Sequence, residues 1–491
     1  MGSKDASGEV DYVQQLEASS VEKDNNEFVI DPALEKKTMR KVDRRILPIF
    51  LLLQLCAFID RINIGNARIQ GLEADLNMTG NDWNIVLFLF FIPYILLEAP
   101  SNVLLKRLRP SLFLPIICCG WSLVTTLQGV TASFAGLVVC RVLIGVFEAG
   151  LFPAQIYIMS TYYRRKELQW RVSFLFCGAI ISGAFSGLLA YAIAHLDGVR
   201  GYSGWRWIFI LEGIASFLIG ILAFFLVPDW PDRAKFLNEE ERNVVLQRVA
   251  DDRKGATMSK WTKGTAKRIF GDVKIYLGIG MYMGIVVTSY AGSFFIPTIL
   301  RQLGWTSIKA QVMSIPVWIF GMTCAFTSSF VADYLNHRFG IVLVGGLLTS
   351  IGYIILLNMH SVAVGVRYFA VFCCLGGGFV VQPTIIAWLS NNVSGSYKSG
   401  ISSGMQLGFG NIGGIIASNI YLNSQAPEYP LGFGLGLGMV WFCIICATAF
   451  FFLIWRENRI RNAGGRDDRY SLPEEELNNL GDDHPTFRFT Y

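Results

Sequence analysis

Four ionisable side chains interrupt runs of sequence that are otherwise apolar: Asp60, Arg61, Arg141 and Glu148. In the middle of a bilayer each costs on the order of 3 kcal/mol unless it is paired or faces a wet cavity. At a helical rise of about 1.5 Å per residue, Asp60, Arg61, Arg141 and Glu212 all fall roughly 10 Å below one membrane face. Glu148 follows Arg141 by seven residues, two helical turns, so it shares that helix face about 10 Å deeper. An arginine keeps its proton, and its planar fork meets a carboxylate through two parallel hydrogen bonds. A desolvated acid such as Glu148 can alternate between ionised and protonated forms as its access changes. Together these groups describe an anion and a proton travelling in one direction: an anion that takes the arginines removes the acid's counter-ion, and the acid then takes a proton.

A structural reading competes with this one. Asp60 could pair with Arg61 or Arg141, and Glu148 with the other arginine, simply to hold helices together. Glu98 and Glu212, nearer the span ends, are read in that structural way. Arg141 with Glu148 is read as functional, because two charges on one face of an apolar helix need a hydrated cavity. The later half of the chain brings no Asp, Glu, Lys or Arg to mid-span, only polar groups such as Ser289, Tyr290, Gln382, Gln406, Asn411 and Asn419. The charge chemistry therefore belongs to the first half.

The elements that must position these residues are membrane spans. Of 491 residues, 53% are hydrophobic and only 16% charged, against about 25% charged in a soluble domain. Apolar runs near 20 residues occur over 46–66, 83–105, 112–130, 134–161, 172–195 and 205–227, then over 274–300, 311–335, 339–358, 366–389, 399–422 and 433–455. The expected fold is an all-α membrane protein of twelve transmembrane helices in two six-helix halves, 46–228 and 274–455. A tail (1–45), a polar linker (229–273) and a second tail (456–491) complete the chain. Within the linker, 238–253 has the pattern of a surface helix. Basic residues gather in alternate short loops (Lys106, Arg107 and Arg109; Arg164, Arg165 and Lys166; Arg338; Lys398; Arg456), which places both termini in the cytoplasm. The first 35 residues are polar and acidic, so no cleaved signal peptide is expected.

Other chemistries find no support. Gly408, Gly410 and Gly413 spell a dinucleotide fingerprint, and Gly400, Ser402 and Gly404 a nucleophile elbow. Both lie in what reads as one long apolar helix, without the strand each motif requires. Such small residues let membrane helices approach closely. There is no phosphate-binding loop ending in Gly-Lys-Ser/Thr, and the histidines at 195, 337, 360 and 484 lack ligand spacing. No enzyme activity, metal, cofactor or nucleic-acid partner is expected. The ten cysteines all sit in apolar runs and read as small core hydrophobes. Asn77-Met-Thr79 is a glycosylation acceptor on a short loop.

Several stretches carry a resemblance: residues 60–67 (DRINIGNA), 91–94 (FIPY) through 100–102 (PSN), 141–153 (RVLIGVFEAGLFP) and 204–213 (GWRWIFILEG). Over 36–461 the chain resembles the anion:cation symporter branch of the major facilitator superfamily, in particular its fungal allantoate permease group. The resemblance implies the major facilitator fold and alternating access. It further implies that Arg61 and Arg141 contact a substrate carboxylate, that Glu148 carries the proton with Asp60 assisting, and that Tyr94 and Asn411 line the site. One departure is Lys106, where the wider superfamily carries an Asp; the equivalent later loop keeps Asp333 with Arg338. The expected function is proton-coupled symport of a small organic carboxylate, nicotinate-like, across the plasma membrane by a monomer in the lipid bilayer. Export of an anionic metabolite on the same fold is the alternative.

Overall fold

In a computed structural model, residues 31–254, 263–335, 337–473, 476–477 and 479–491 are described. The N-terminal tail to residue 30 and the middle of the basic linker segment fall outside them, as do the side chains of Lys106 and Asp333.

Twelve membrane crossings follow one another along the chain. The first six are α1 (Pro32–Ile69), α2 (Asp82–Arg107), α3 (Pro110–Gly129), the pair α4 (Phe134–Glu148) and α5 (Leu151–Tyr162), α6 (Arg165–Ala194) and α7 (Gly204–Leu226). Two linker helices, α8 (Glu239–Lys254) and α9 (Lys263–Phe270), come next, so the amphipathic run expected near 238–253 is helical. The second six are α10 (Val273–Gln302), α11 (Ser307–Leu335), α12 (Arg338–Leu357), α13 (Val364–Asn391), the pair α14 (Ser396–Gly410) and α15 (Ile412–Asn419), and α16 (Pro430–Asn462). By length and composition, ten of these crossings are apolar enough to span a membrane; α2 and the interrupted α14–α15 complete the set.

The sequence dictates these helices in two ways. Their interiors are apolar on every side, as a helix packed between protein and lipid must be. Phe225 and Phe330 stay 73% and 75% exposed, which water would penalise and acyl chains do not. Helix starts carry their own signals: Asp31 accepts the Ala33 amide ahead of Pro32, and Ser133 accepts that of Gly136 at the head of α4.

Two crossings expected as single helices are broken. The fourth stops at Glu148 and resumes at Leu151, and the eleventh is interrupted at Asn411. The glycine run 408–413 thus lies across a break and not within one continuous helix.

Within the first six helices α1 packs on α6, α2 on α4 and α3 on α7; within the second, α10 packs on α16, and α13 on both α11 and α12. The two sets meet through α1 on α10, α6 on α11 and α2 on α15. Polar contacts between them concentrate at the face away from the termini. Arg301 and Ser307 donate to the Ile69 carbonyl at 3.2 and 2.9 Å, Arg68 donates to Asn423, and Asn84 donates to the Ser418 and Tyr421 carbonyls. At Gly65 a Cβ would stand 2.7 Å from the Phe294 carbonyl oxygen, so only glycine permits this approach of α1 to α10.

On the terminal face the end of the chain folds back onto the second six helices. Asp482, fully buried, receives Lys274 and Lys398. Trp388 donates to the Thr490 carbonyl at 2.9 Å, Asn458 and Phe489 bond reciprocally at 2.9 Å, and Arg461 donates to the carbonyls of His484 and Phe487.

Candidate functional site

A cavity of about 720 Å³, counting its open mouth, lies between the two helix sets on the terminal side of the sealed layer. Its wall is largely aromatic, with Phe58, Tyr94, Phe152, Phe176, Trp318 and Phe379. Polar groups on it include Gln54, Arg61, Glu98, Ser289, Ser293, Gln382 and Asn411, with the hydroxyls of Tyr94, Tyr282 and Tyr290.

Arg61 is the cation on that wall, and every side of it is organised. The guanidinium carbon sits 4.9 Å from the ring centres of Phe58 and Tyr94 and 5.0 Å from that of Phe90, positions favoured by the negative faces of the rings. Its Nη1 donates to the Tyr290 hydroxyl at 3.0 Å, and that hydroxyl donates to Asn411 Oδ1 at 3.1 Å. The chain Arg61, Tyr290, Asn411 therefore crosses from the first helix set to the second. Arg61 Nη2 donates to Glu148 in a buried ion pair, and its Nε has no partner.

Glu148 stands behind Arg61, off the cavity wall and at the C-terminus of α4. A carboxylate gains nothing from that end of a helix dipole, so Arg61 supplies its compensation. Arg141 is deeper still, 2% exposed, with Nε and Nη2 unpartnered; Glu148 and Asp60 are the carboxylates that act on it. Asp60 accepts from Ser216 at 3.4 Å and keeps Oδ1 unpartnered. The four charges of the first half are thus brought together as two cations and two carboxylates, but of the four only Arg61 reaches the cavity. A joint two-arginine wall is not what this arrangement presents. Tyr94 and Asn411 both line the cavity.

Glu98 corrects a sequence expectation. The sequence places it in a structural ion pair, whereas the structure sets it on the cavity wall, 8% exposed, with Oε2 buried and unbonded. Glu212 is held by Asn63, away from the cavity, in keeping with a structural role. Sequence reasoning named Tyr290 and Gln382 only as polar groups of the second half. Tyr290 bonds Arg61, and Gln382 accepts from Ser289 at 2.8 Å. Their signal was available: each is a hydrogen-bonding side chain within an apolar run, where an unsatisfied polar group is expensive.

Among the described residues no group of histidines, cysteines and acids has the geometry of a metal site. The arrangement suits noncovalent capture of an anion whose charge is read by one guanidinium and whose body is read by rings.

A family model described as "Major Facilitator Superfamily" matches residues 50–418. MFS-type transporter cnsO of Penicillium expansum is 36% identical over 482 residues, covering 94% of this chain and 92% of that protein. Uncharacterized transporter C1002.16c of Schizosaccharomyces pombe is 34% identical, covering 85% and 83%. Among solved structures, a bacterial homologue of the human lysosomal transporter Spinster superposes with a TM-score of 0.64 at 17% identity, covering 84% of this chain and 96% of that one. The E. coli xylose transporter XylE gives 0.60 at 15%, covering 81% and 96%. The chain belongs to the Major Facilitator Superfamily and is a multi-pass membrane transporter.

Proposed function

We propose that this superfamily member is a proton-coupled symporter of a small organic carboxylate, nicotinate-like, importing it across the plasma membrane with both termini in the cytoplasm. The observation that carries the reading is the double engagement of Arg61, which lines the cavity and holds Glu148.

The coupling follows from what a buried ion pair costs to break. Removing one partner leaves an uncompensated charge, worth about 3–5 kcal/mol. A substrate carboxylate arriving from the cavity competes with Glu148 for the same fork, and the Arg61 Nε, now unbonded, adds a second donor for it. Glu148, displaced, restores neutrality by taking a proton. When the substrate leaves, Arg61 reclaims Glu148 and the proton is released on that side. Substrate and proton then enter and leave together, which is symport. Arg141 acts behind this exchange: its charge offsets Asp60 and keeps the bundle from accumulating two unpaired acids.

The closed layer at the non-terminal face and the cavity beneath it fit an inward-facing stage of alternating access. The Arg61, Tyr290, Asn411 chain links the two sets at the site, so occupancy of Arg61 is felt across the interface that must rock.

Uptake of labelled nicotinate in yeast lacking its own permease tests the reading. Accumulation is expected to be stronger at pH 5 than at pH 7, to collapse with an uncoupler, and to be lost in Glu148→Gln while substrate exchange persists. Uptake indifferent to pH and uncoupler, or net efflux of preloaded acid, rejects it.

A further inference from the structure

The first turns of α1, on the terminal side of the membrane, have two unlike faces. On one, charges are matched: Glu35 and Asp43 are taken by Arg248 and Arg171, and Lys41 by Glu241. On the other, Lys36, Arg40 and Arg44 recur every fourth residue with Lys37 beside them, all exposed. None of these four cations has an acidic partner among the described residues.

The neighbours of Arg44 show where this stripe points. Asp43 receives Arg171 of α6 at 2.8 and 3.0 Å, and Arg45 donates to the Phe225 carbonyl at the end of α7. Each lies about 100° from Arg44 around the helix, so Arg44 faces out between α6 and α7, opposite the buried Val42 and Ile46. Helices α6 and α7 meet near the other membrane face, through the cluster of Ala190, Ile193 and Ile208; at the terminal side α1 shows between them.

The same bonds fix its depth. On α7 the exposed Leu218, Leu222 and Phe225 mark a surface that lipid covers, and Phe225 is the last of them. Arg45 is tied to that level. On α6, Trp170 and Phe174 are exposed close to the level of Arg171, and tryptophan at the end of a span suits the bilayer interface. From Arg44 to Lys37 the stripe descends about 10 Å, from the edge of the hydrocarbon through a headgroup layer roughly 5–8 Å thick.

We infer that this end of α1, framed by α6 and α7, is a docking site for the headgroup of an anionic phospholipid in the terminal-side leaflet. Arg40 and Arg44 hold the phosphate, Lys36 and Lys37 meet the outer part of the head, and the acyl chains lie along Phe174 and Phe225. None of these residues lines the substrate cavity, so the site stands apart from the carboxylate reading of Arg61. Each basic residue near an anionic membrane surface accounts for about fivefold in binding.

Melting of the purified full-length transporter, delipidated in a neutral detergent, tests it as phosphatidylserine or phosphatidylcholine is added. Phosphatidylserine should raise the melting temperature at lower doses than phosphatidylcholine. The double variant Arg40→Gln with Arg44→Gln, at exposed and unpaired positions, should need roughly 25-fold more phosphatidylserine for the same shift. Arg456→Gln with Arg459→Gln, which removes the same charge from the end of α16, should leave the dose unchanged. Equal responses of the wild type to the two lipids, or no response to either, overturn the proposal without any variant. An unchanged dose in the α1 variant, or an equal loss in the α16 variant, overturns the assignment to this stripe, and a shift reproduced by inorganic phosphate at the same concentration overturns a lipid as its occupant.

Discussion

Arg61 and Glu148 are a pair made for exchange. The arginine is fixed by rings and by Tyr290, whereas Glu148 is hydrogen-bonded by Arg61 and has Arg141 nearby as a second positive charge. Arg61→Lys keeps a positive charge and loses the planar fork. The expected result is a Michaelis constant for nicotinate raised about tenfold or more, as for loss of a charged hydrogen bond, with protein levels unchanged; an unaltered constant would count against a forked contact. Arg141→Ala separates the two arginines. Since Arg141 lies behind the wall, the substitution should remove coupling through Glu148 and Asp60 more than it weakens ligand contact, so measured affinity should fall less than in Arg61→Ala. Residue types and depths were legible in the sequence, because charge in an apolar run announces itself. Pairing was not. Spacing set Arg141 and Glu148 on one face of α4, but which arginine Glu148 meets depends on how α1 leans against that face, and helix packing is not written in either segment. The same blindness hid Glu98, whose lack of a partner is visible only when all neighbours are placed.

At the scale of elements, breaks and close approaches decide what moves. Helix α4 ends at Glu148, and the eleventh crossing parts at Asn411, so both a proton-binding candidate and a cavity amide sit at irregularities in their crossings, where a helix most readily bends. Apolar periodicity could not foresee either break, since glycine-rich membrane helices often run on uninterrupted. Gly65 is a point of close approach between α1 and α10. Gly65→Val places side-chain atoms against the Phe294 carbonyl and should prevent the non-terminal face from closing. Transport is expected to fall to background while the purified variant remains monodisperse; near-normal uptake would mean that this seal is dispensable. The C-terminal segment is a further element that composition misjudged as a plain tail. Burial pulls the Asp482 carboxyl upward, but Lys274 and Lys398 outweigh it and hold it below the usual aspartate range. A depressed carboxyl contributes stability that is complete above the unfolded value, about 3.9, and is lost as pH falls through the lower folded value. The gap in melting temperature between wild type and Asp482→Asn should therefore be full at pH 6 and shrink progressively once the pH drops below about 4. A gap independent of pH would assign the effect to packing and not to charge.

At the scale of the whole molecule, two helix sets enclose an aromatic cavity, and the anion-reading arginine belongs to one set while its hydrogen-bonded neighbours Tyr290 and Asn411 belong to the other. A ligand that seizes Arg61 thus alters a contact on which both sets depend, and this difference in contacts is what a conformational shift requires. The span count and the division into sixes could be read from apolar run lengths alone, because the bilayer fixes how long each run must be. The cavity could not, since its walls come from helices far apart in sequence. The central claim is that substrate and Glu148 exchange places on one guanidinium with uptake of a proton. Calorimetry of nicotinate binding to the purified transporter at neutral pH, repeated in buffers of different protonation heat, measures that proton directly. The expected result is about one proton taken up per ligand in the wild type and none in Glu148→Gln. Binding without proton uptake in the wild type, or with equal uptake in the variant, would contradict the account.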